Sequence, residues 1–554
     1  MQTYDVVIIG GGPAGSTVGT LLKRYAPHLK VLLLEKMHFP RHHVGESLLA
    51  GASPILQEMN VYEKVKSYGF MEKVGATYVW GQNRKPWGFT FSEIVNSFME
   101  RGEPIPDFYL NAWQVRRAEY DQLLLDHTAE CGVEVHQGAC VTRVHREPGR
   151  QRITGIDYRD ERGVHTVAST WLMDCSGQSG FLSREMQLRE YDNAMNNYAL
   201  WGYWKDARWE FEFVGYPGLT RIFVATTPHG WIWYIPVKRD VISVGFVTHH
   251  QTLKEMAGKV KQLYLNELQA CPEIHGLLDG ASLVRIAADQ KHDICAIQDW
   301  SYESKRMQGA GWALAGDAAG FVDPILSSGV MLAHELSQKA AYTLVSAFSA
   351  SSDEQVQAYW DFYDQTYHTF LQAYKEMARF WYSNNFSMES WWWQARRFLD
   401  QQESITTLTA REAFIRVAFG YATRAESTAL FGSYPLNEAL TLADQLFGGG
   451  TSPAEEWVAR FAGRPLRLKE QARMTRGMLY HSGRIRETPR IIGSNNRSLD
   501  LRPVEAHLTH LLDGAHTLED LNCTLRAIDV QDTYARGALD FLIQLDTIGA
   551  LEYA

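Results

Sequence analysis

Cysteine is scarce and scattered. The six residues, Cys131, Cys140, Cys175, Cys271, Cys295 and Cys523, show no Cys-x-x-Cys spacing. That argues against a zinc site or a disulfide framework and fits a reducing cytoplasm. No metal is expected. No apolar run reaches the length that spans a bilayer, so no membrane partner is expected. Basic residues are in deficit: 54 Lys and Arg against 64 Asp and Glu give a formal net charge of −10. Nucleic acid is therefore a poor partner. Internal repeats and low-complexity tracts are absent, and the chain opens on a strand pattern without a signal-peptide profile. At 554 residues it is too long for one core, so two or three domains are expected. Aromatic residues are plentiful instead: 12%, with 17 Trp, which suits a protein that handles flat ligands.

Tyr4 to Ile9 reads as a buried strand, Gly10-Gly11-Gly12-Pro13-Ala14-Gly15 follows, and a helical stretch runs to about Tyr25. A second apolar strand, Val31 to Leu34, ends at Glu35. In that context the glycines are a dinucleotide fingerprint. Gly10 permits the tight turn, Gly12 lets backbone approach a pyrophosphate, and Gly15 lets helix and strand pack. Pro13 and Ala14 start the helix whose N-terminus faces that anion. Glu35 is placed to accept hydrogen bonds from the adenosine ribose.

Five further stretches stand out. Phe39-Pro40-Arg41 and Val44-Gly45-Glu46-Ser47-Leu48 read as a loop with a helix cap. Lys73 lies in Gly69 to Ala76, ahead of the aromatic Trp80, Trp87 and Phe89. Gln114-Val115-Arg116-Arg117 opens a helix. Gly230-Trp231-Ile232-Trp233-Tyr234-Ile235-Pro236 reads as an extended segment, with both indoles on one face and Pro236 helping to end the strand. Gly316-Asp317 to Pro324 and Ser327-Ser328-Gly329 precede a helix. There small residues admit a ligand, Asp317 can accept from ribityl hydroxyls, and Ser328 and Gly329 offer an anion site. From Tyr198 to Val247 short strand-like runs alternate, 200–204, 209–214, 222–226, 231–236 and 241–246, which reads as an antiparallel sheet.

The Trp-x-Trp-x-Ile-Pro segment, together with Lys73 and the two flavin motifs, resembles the flavin-dependent halogenases. Those of chloramphenicol and chondrochloren biosynthesis are nearer in pattern than the free-tryptophan enzymes, which carry a glutamate where this chain has Leu326. The resemblance implies an α/β fold: an FAD-binding, Rossmann-like domain of the monooxygenase type over 1–350. An antiparallel substrate sheet is inserted at about 195–290, and the C-terminal region is mainly helical. It implies that Arg41, Ser47, Arg117, Pro324 and Gly329 contact FAD. It also implies that halide binds near Ser328 and Gly329, that Trp231 and Trp233 keep substrate from the flavin, and that Lys73 delivers electrophilic halogen. A relative with covalently held FAD uses an aspartate, for which Asp289 and Asp293 are both candidates.

The activity implied is oxidation of chloride or bromide by reduced FAD and O2, followed by halogenation of a phenol- or pyrrole-like carbon, free or carrier-tethered. No second strand–glycine–helix unit serves a nicotinamide, since Gly448-Gly449-Gly450 follows a helical pattern. A separate flavin reductase is therefore expected as a partner. An aromatic hydroxylase or a flavin-dependent reductase on the same fold is the rival, and a non-catalytic flavin-binding partner a third reading. Residues 351–503 are expected to be a helical region capping the substrate cavity, with 493–503 linker-like. Residues 504–554 are expected to form a small winged-helix-like module of three helices and a final strand.

Overall fold

The computed structural model describes residues 2–80, 84–92, 110, 112–149, 151–256, 259–383, 459–527 and 538–553. The tryptophans at 391–393, Phe398 and the glycines at 448–450 lie outside them. Two compact units emerge. The first is Met1–Ile94, Asp107–Tyr367 and Tyr374–Gly420; the second is Val95–Pro106, His368–Ala373 and Tyr421–Ala554. Among the described residues no helix is long and apolar enough to cross a membrane.

The first unit holds two sheets. In one, the strand Gln2–Ile9 lies between Val31–Glu35 and Gly163–Asp174, parallel to both, with Trp312–Leu314 and Glu134–Gln137 beyond. Strands covered on both faces need continuous apolar runs, and Val31–Glu35 is buried at every position. The helix Gly329–Phe348 is buried over almost its whole length and packs on the helix Pro13–Tyr25. His334 ties them: its ring nitrogens lie 2.7 Å from Thr17 Oγ1 and 2.8 Å from the Tyr120 hydroxyl.

The second sheet runs Ile294–Ser304, Arg189–Lys205, Val241–His249, Gly230–Lys238, Leu219–Thr227, Met71–Val79 and Trp87–Thr90. It is wider than the expected insertion at 195–290, because Met71–Val79 joins it in parallel with Leu219–Thr227. Residues 209–214 are not a strand: Phe211 makes only an isolated bridge to Gly215, and Trp209 tucks into the core. Pro236 does not end its strand either. It pairs with Ile242, and an irregularity between Pro236 and Lys238 absorbs the missing N–H.

The boundary expected at 350 is also corrected. The helix Asp353–Ser383 presents Trp360, Tyr363 and Tyr367, at helical spacing, to the first unit. Trp360 meets Trp171 at 4.7 Å, Tyr363 donates to Leu314 O at 2.7 Å, and Tyr367 donates to Gly316 O at 2.9 Å.

In the second unit, strands occupy part of the span expected to be helical. Arg473–His481 and Arg484–Ile492 form a hairpin, with Ser498–Asp500 as third strand inside the expected linker. The two loop residues, Ser482 and Gly483, have φ of +47° and +81°, the turn that matches strand twist. The three helices and the final strand are present, at Pro503–Leu508, Leu518–Ala527, Ala538–Thr547 and Leu551–Tyr553. No boundary falls at 504, however. Leu551–Tyr553 pairs with Leu466–Leu468, and Phe461, Leu466 and Leu499 share one core with Leu521, Phe541, Leu542 and Leu551. Deleting residues 504–554 strips apolar partners each worth about 1.5–3 kcal/mol. Limited proteolysis is expected to cut the truncated chain within 459–503 and to spare that segment in the full chain.

Candidate active site

A cavity of about 620 Å³ in the first unit is lined by Gly10, Gly12, Pro13, Ala14, Glu35, Arg41, Ser47 and Arg117 from the first half of the chain. Trp231, Trp233, Asp317, Pro324 and Gly329 line it from further along the chain. Gly15 sits behind this lining: a Cβ there would fall 1.9 Å from Gly10 O. Both oxygens of Glu35 are engaged by backbone, with Gly11 N donating to Oε2 at 2.8 Å and Met37 N to Oε1 at 2.9 Å. Glu35 therefore holds the glycine turn as well as facing the cavity.

The loop Val44–Ser47 is fixed by an ion cluster. Arg117 forks onto Asp121 at 2.8 and 3.1 Å and donates to Val44 O at 2.7 Å. Arg41 lies 3.5 Å from the same carboxylate. Burial would raise Asp121, but Arg117 and Arg41 outweigh it and hold the carboxyl low. Glu46, 2% exposed, faces the cavity. The Tyr203 hydroxyl donates to its Oε1 at 2.9 Å and lies 3.0 Å from His42 Nε2. Burial pushes Glu46 up to about 7, against Ser243, Tyr203 and Arg117. Asp317 is likewise pushed up to about 6 by burial, with Arg117 and Arg189 opposing.

The indole wall stands on one face of its strand. Trp231, Trp233 and Ile235 line the cavity with Val224 and Ile222 of the neighbouring strand, while Ile232 and Tyr234 enter the core beneath. The two indoles are 6.1 Å apart and inclined at 53°. Trp233 lies over Gly245, the residue opposite it, where any Cβ would come within 2.1 Å of the ring. Its N–H donates to Ser243 at 3.3 Å.

Lys73 is 1% exposed, donates to Leu48 O at 2.8 Å and has its ammonium 5.8 Å from the Phe91 ring centre. Burial pushes its amine down to about 7. It lies in the same sheet as the wall, two strands across, and outside the cavity lining. Ser328 precedes the helix Gly329–Phe348, its side chain making no cap hydrogen bond, and also lies behind the lining, whereas Ser327 and Gly329 are in it. Of the two candidate aspartates, Asp289 lines the cavity, and Asp293 is paired with Arg285 at 2.8 Å on the surface. Glu46, Asp121, Asp323, Tyr203 and Gly245 were not singled out from sequence. Asp323 carried a legible signal, since Asp before Pro marks a helix cap, and here its side chain accepts from Ile325 N.

The lining fits FAD. The glycine turn and the unpaired N–H groups of the Pro13–Tyr25 helix suit a pyrophosphate. Ile222, Val224 and Trp233 suit a flat ring. In that lining, Ser47 Oγ and Glu46 Oε2 are buried without partners among the described residues, as groups awaiting a ligand would be. Gly15→Ala forces the turn open and is expected to yield protein without flavin absorbance. Gly276→Ala, with nothing near its Cβ, is expected to retain it.

The tryptophan halogenase family model matches residues 5–111 and 103–432. A tryptophan 2-halogenase of Chondromyces crocatus is 31% identical over 414 residues, 74% of this chain and 73% of that protein. A pyrrole-2-carbonyl peptidyl-carrier-protein chlorinase of Pseudomonas fluorescens is 31% identical over 371 residues, 63% of this chain and 78% of that protein. The solved chondrochloren halogenase CndH, an FAD-dependent enzyme, superposes with a TM-score of 0.65 at 29% identity, covering 80% of this chain and 97% of that one. The flavin-dependent halogenase CmlS does so at 0.73 and 25%, covering 100% and 96%. With the family model spanning most of its length, the chain belongs to the tryptophan halogenase family of FAD-dependent halogenases.

Proposed function

We propose that this halogenase uses chloride or bromide, O2 and reduced FAD from a separate reductase to halogenate an electron-rich aromatic carbon, with Lys73 as the group that delivers the halogen. The observation that carries this reading is Lys73 itself. It is a fully buried amine, pushed down to about 7, in the sheet that bears the paired indoles. A neutral amine has a lone pair to accept electrophilic halogen and N–H groups to orient hypohalous acid. Bound reduced flavin supplies, with O2, the oxidant that takes halide to that level.

The residues around it divide the remaining work. Arg41, Ser47, Arg117, Asp317 and Pro324 hold the cofactor, and Gly329 at the helix start, with Ser328 just before it, is the halide candidate. Trp231 and Trp233 keep bulky substrate from the flavin side and leave halide and hypohalous acid as the species small enough to pass. Glu46 holds a proton near neutrality, and the Tyr203 hydroxyl and His42 imidazole connect it towards solvent. Phenols, pyrroles and indoles are the substrate classes to test, free and carrier-bound. The carrier-linked pyrrole of one relative and the tryptophan of another support that choice.

Mass spectrometry of reactions with FAD, a reductase, NADH and halide tests the reading. A halogen isotope pattern is expected from wild type. In Lys73→Met it should fall by at least about a hundredfold while FAD content is unchanged. An oxygenated product formed without halide would overturn it.

Glu46 gives a pH signature. Its folded pKa of about 7 exceeds its ordinary value of 4.5, so between those values the folded chain binds more protons than the unfolded one. Stability therefore falls as pH rises through that window, by up to about 3 kcal/mol. Thermal melts should show Glu46→Gln gaining on wild type as pH rises from about 5 to about 8, the charge-neutral amide having no such titration.

A further inference from the structure

Trp231 donates its indole N–H to the Tyr382 hydroxyl at 3.0 Å. Tyr382 is 3% exposed and stands in the last turn of the helix Asp353–Ser383. Its hydroxyl faces both oxygens of Asp323, at 3.0 and 3.1 Å. Asn197 Nδ2 donates to the same hydroxyl at 3.2 Å and to Asp323 Oδ2 at 2.9 Å. The direction of each bond follows from chemistry. Indole N–H and amide NH2 can only donate, so they occupy the two lone pairs of the hydroxyl oxygen, and its single proton goes to the carboxylate. Asp323 in turn lines the cavity and caps Pro324–Leu326. One residue earlier, Trp381 packs against Tyr78 and Trp80, each at 5.3 Å, and Trp87 at 5.9 Å.

We propose that Tyr382 is a positioning residue for the wall: its hydroxyl, oriented by Asp323, holds the Trp231 indole in the plane that closes the flavin cavity. The consequence for catalysis rests on the wall's role in the reading above. Without the hydroxyl, the N–H is buried with no acceptor and the ring is free to turn. Oxidant then escapes from the cavity as hydrogen peroxide instead of being used on halide.

Tyr382→Phe keeps the ring and removes the hydroxyl. Two readouts are compared with wild type: the indole N–H band of Trp231 in ultraviolet resonance Raman, identified by difference against Trp231→Phe, and hydrogen peroxide released per flavin reoxidised. The N–H band is expected to move towards its unbonded position, with or without FAD. Peroxide release is expected to rise roughly fivefold, the factor equivalent to one lost buried hydrogen bond. Adding Tyr382→Phe to Trp231→Phe should change peroxide release no further. An unmoved N–H band overturns the proposal, and so does an equal peroxide rise in the Trp231→Phe background. If Tyr382→Phe does not fold, 3-fluorotyrosine at 382 makes the hydroxyl a poorer acceptor and should shift the band the same way by less; no shift overturns the proposal. Failure of the halogenase reading would show separately, as wild type forming no halogenated product while the N–H band still reports on Tyr382.

Discussion

The Asp121 carboxylate is the contact on which the site's chemistry hangs. It is fully buried and forks onto Arg117, which then has a third donor free for Val44 O. That bond fixes the loop that puts Glu46 and Ser47 into the cavity and Leu48 O under Lys73. A buried pair of this kind adds little net stability, yet losing one partner costs about 3–5 kcal/mol because the other is stranded. Its value here is geometric. One carboxylate sets the register of a loop that carries cavity-lining residues, the buried Glu46 and the carbonyl that anchors Lys73.

Burial acts on three further groups in the same direction, towards neutrality. Lys73 is pushed down and Glu46 and Asp317 are pushed up, all chiefly by loss of water. The proposed roles need these states, an unprotonated amine at Lys73 and a protonated acid at Glu46. One low-dielectric interior produces both states near neutral pH. Sequence cannot show this, because Lys73 and Glu46 look like any other charged residues until their strands and loops are folded around them.

Local motifs were the legible part. Gly10 to Gly15, Trp231 to Pro236 and Gly316 to Gly329 are contiguous, and each works through backbone shape or side-chain face, which spacing encodes. The residues that hold those motifs in place lie far along the chain: Asp121 under the loop at 44–47, Tyr382 under Trp231, Gly245 under Trp233. Their roles come from tertiary contact, and a single sequence has no term for it. The hairpin at 473–492 is a different case. Ser482-Gly483 between strand-like runs was a readable turn, obscured by the arginine-rich, helix-compatible composition around it.

The wall also bears on why the central strands of the second sheet, Leu219–Thr227, Gly230–Lys238 and Val241–His249, are buried on both faces. A strand with one face in solvent could shed its indoles into water, or slip by one residue and turn them away. Here Ile232 and Tyr234 are locked into a core with Phe246, Leu263, Tyr264 and Leu268, so any slip would expel them. Trp233 is further held by the bare backbone of Gly245, which leaves the ring a flat seat. Trp231 has Thr226 and Val247 as its strand neighbours, which give an indole no comparable seat. Its orientation therefore depends on the hydrogen bond at its edge. The two rings of the motif are thus fixed by different means: Trp233 mainly by shape, Trp231 mainly by polarity.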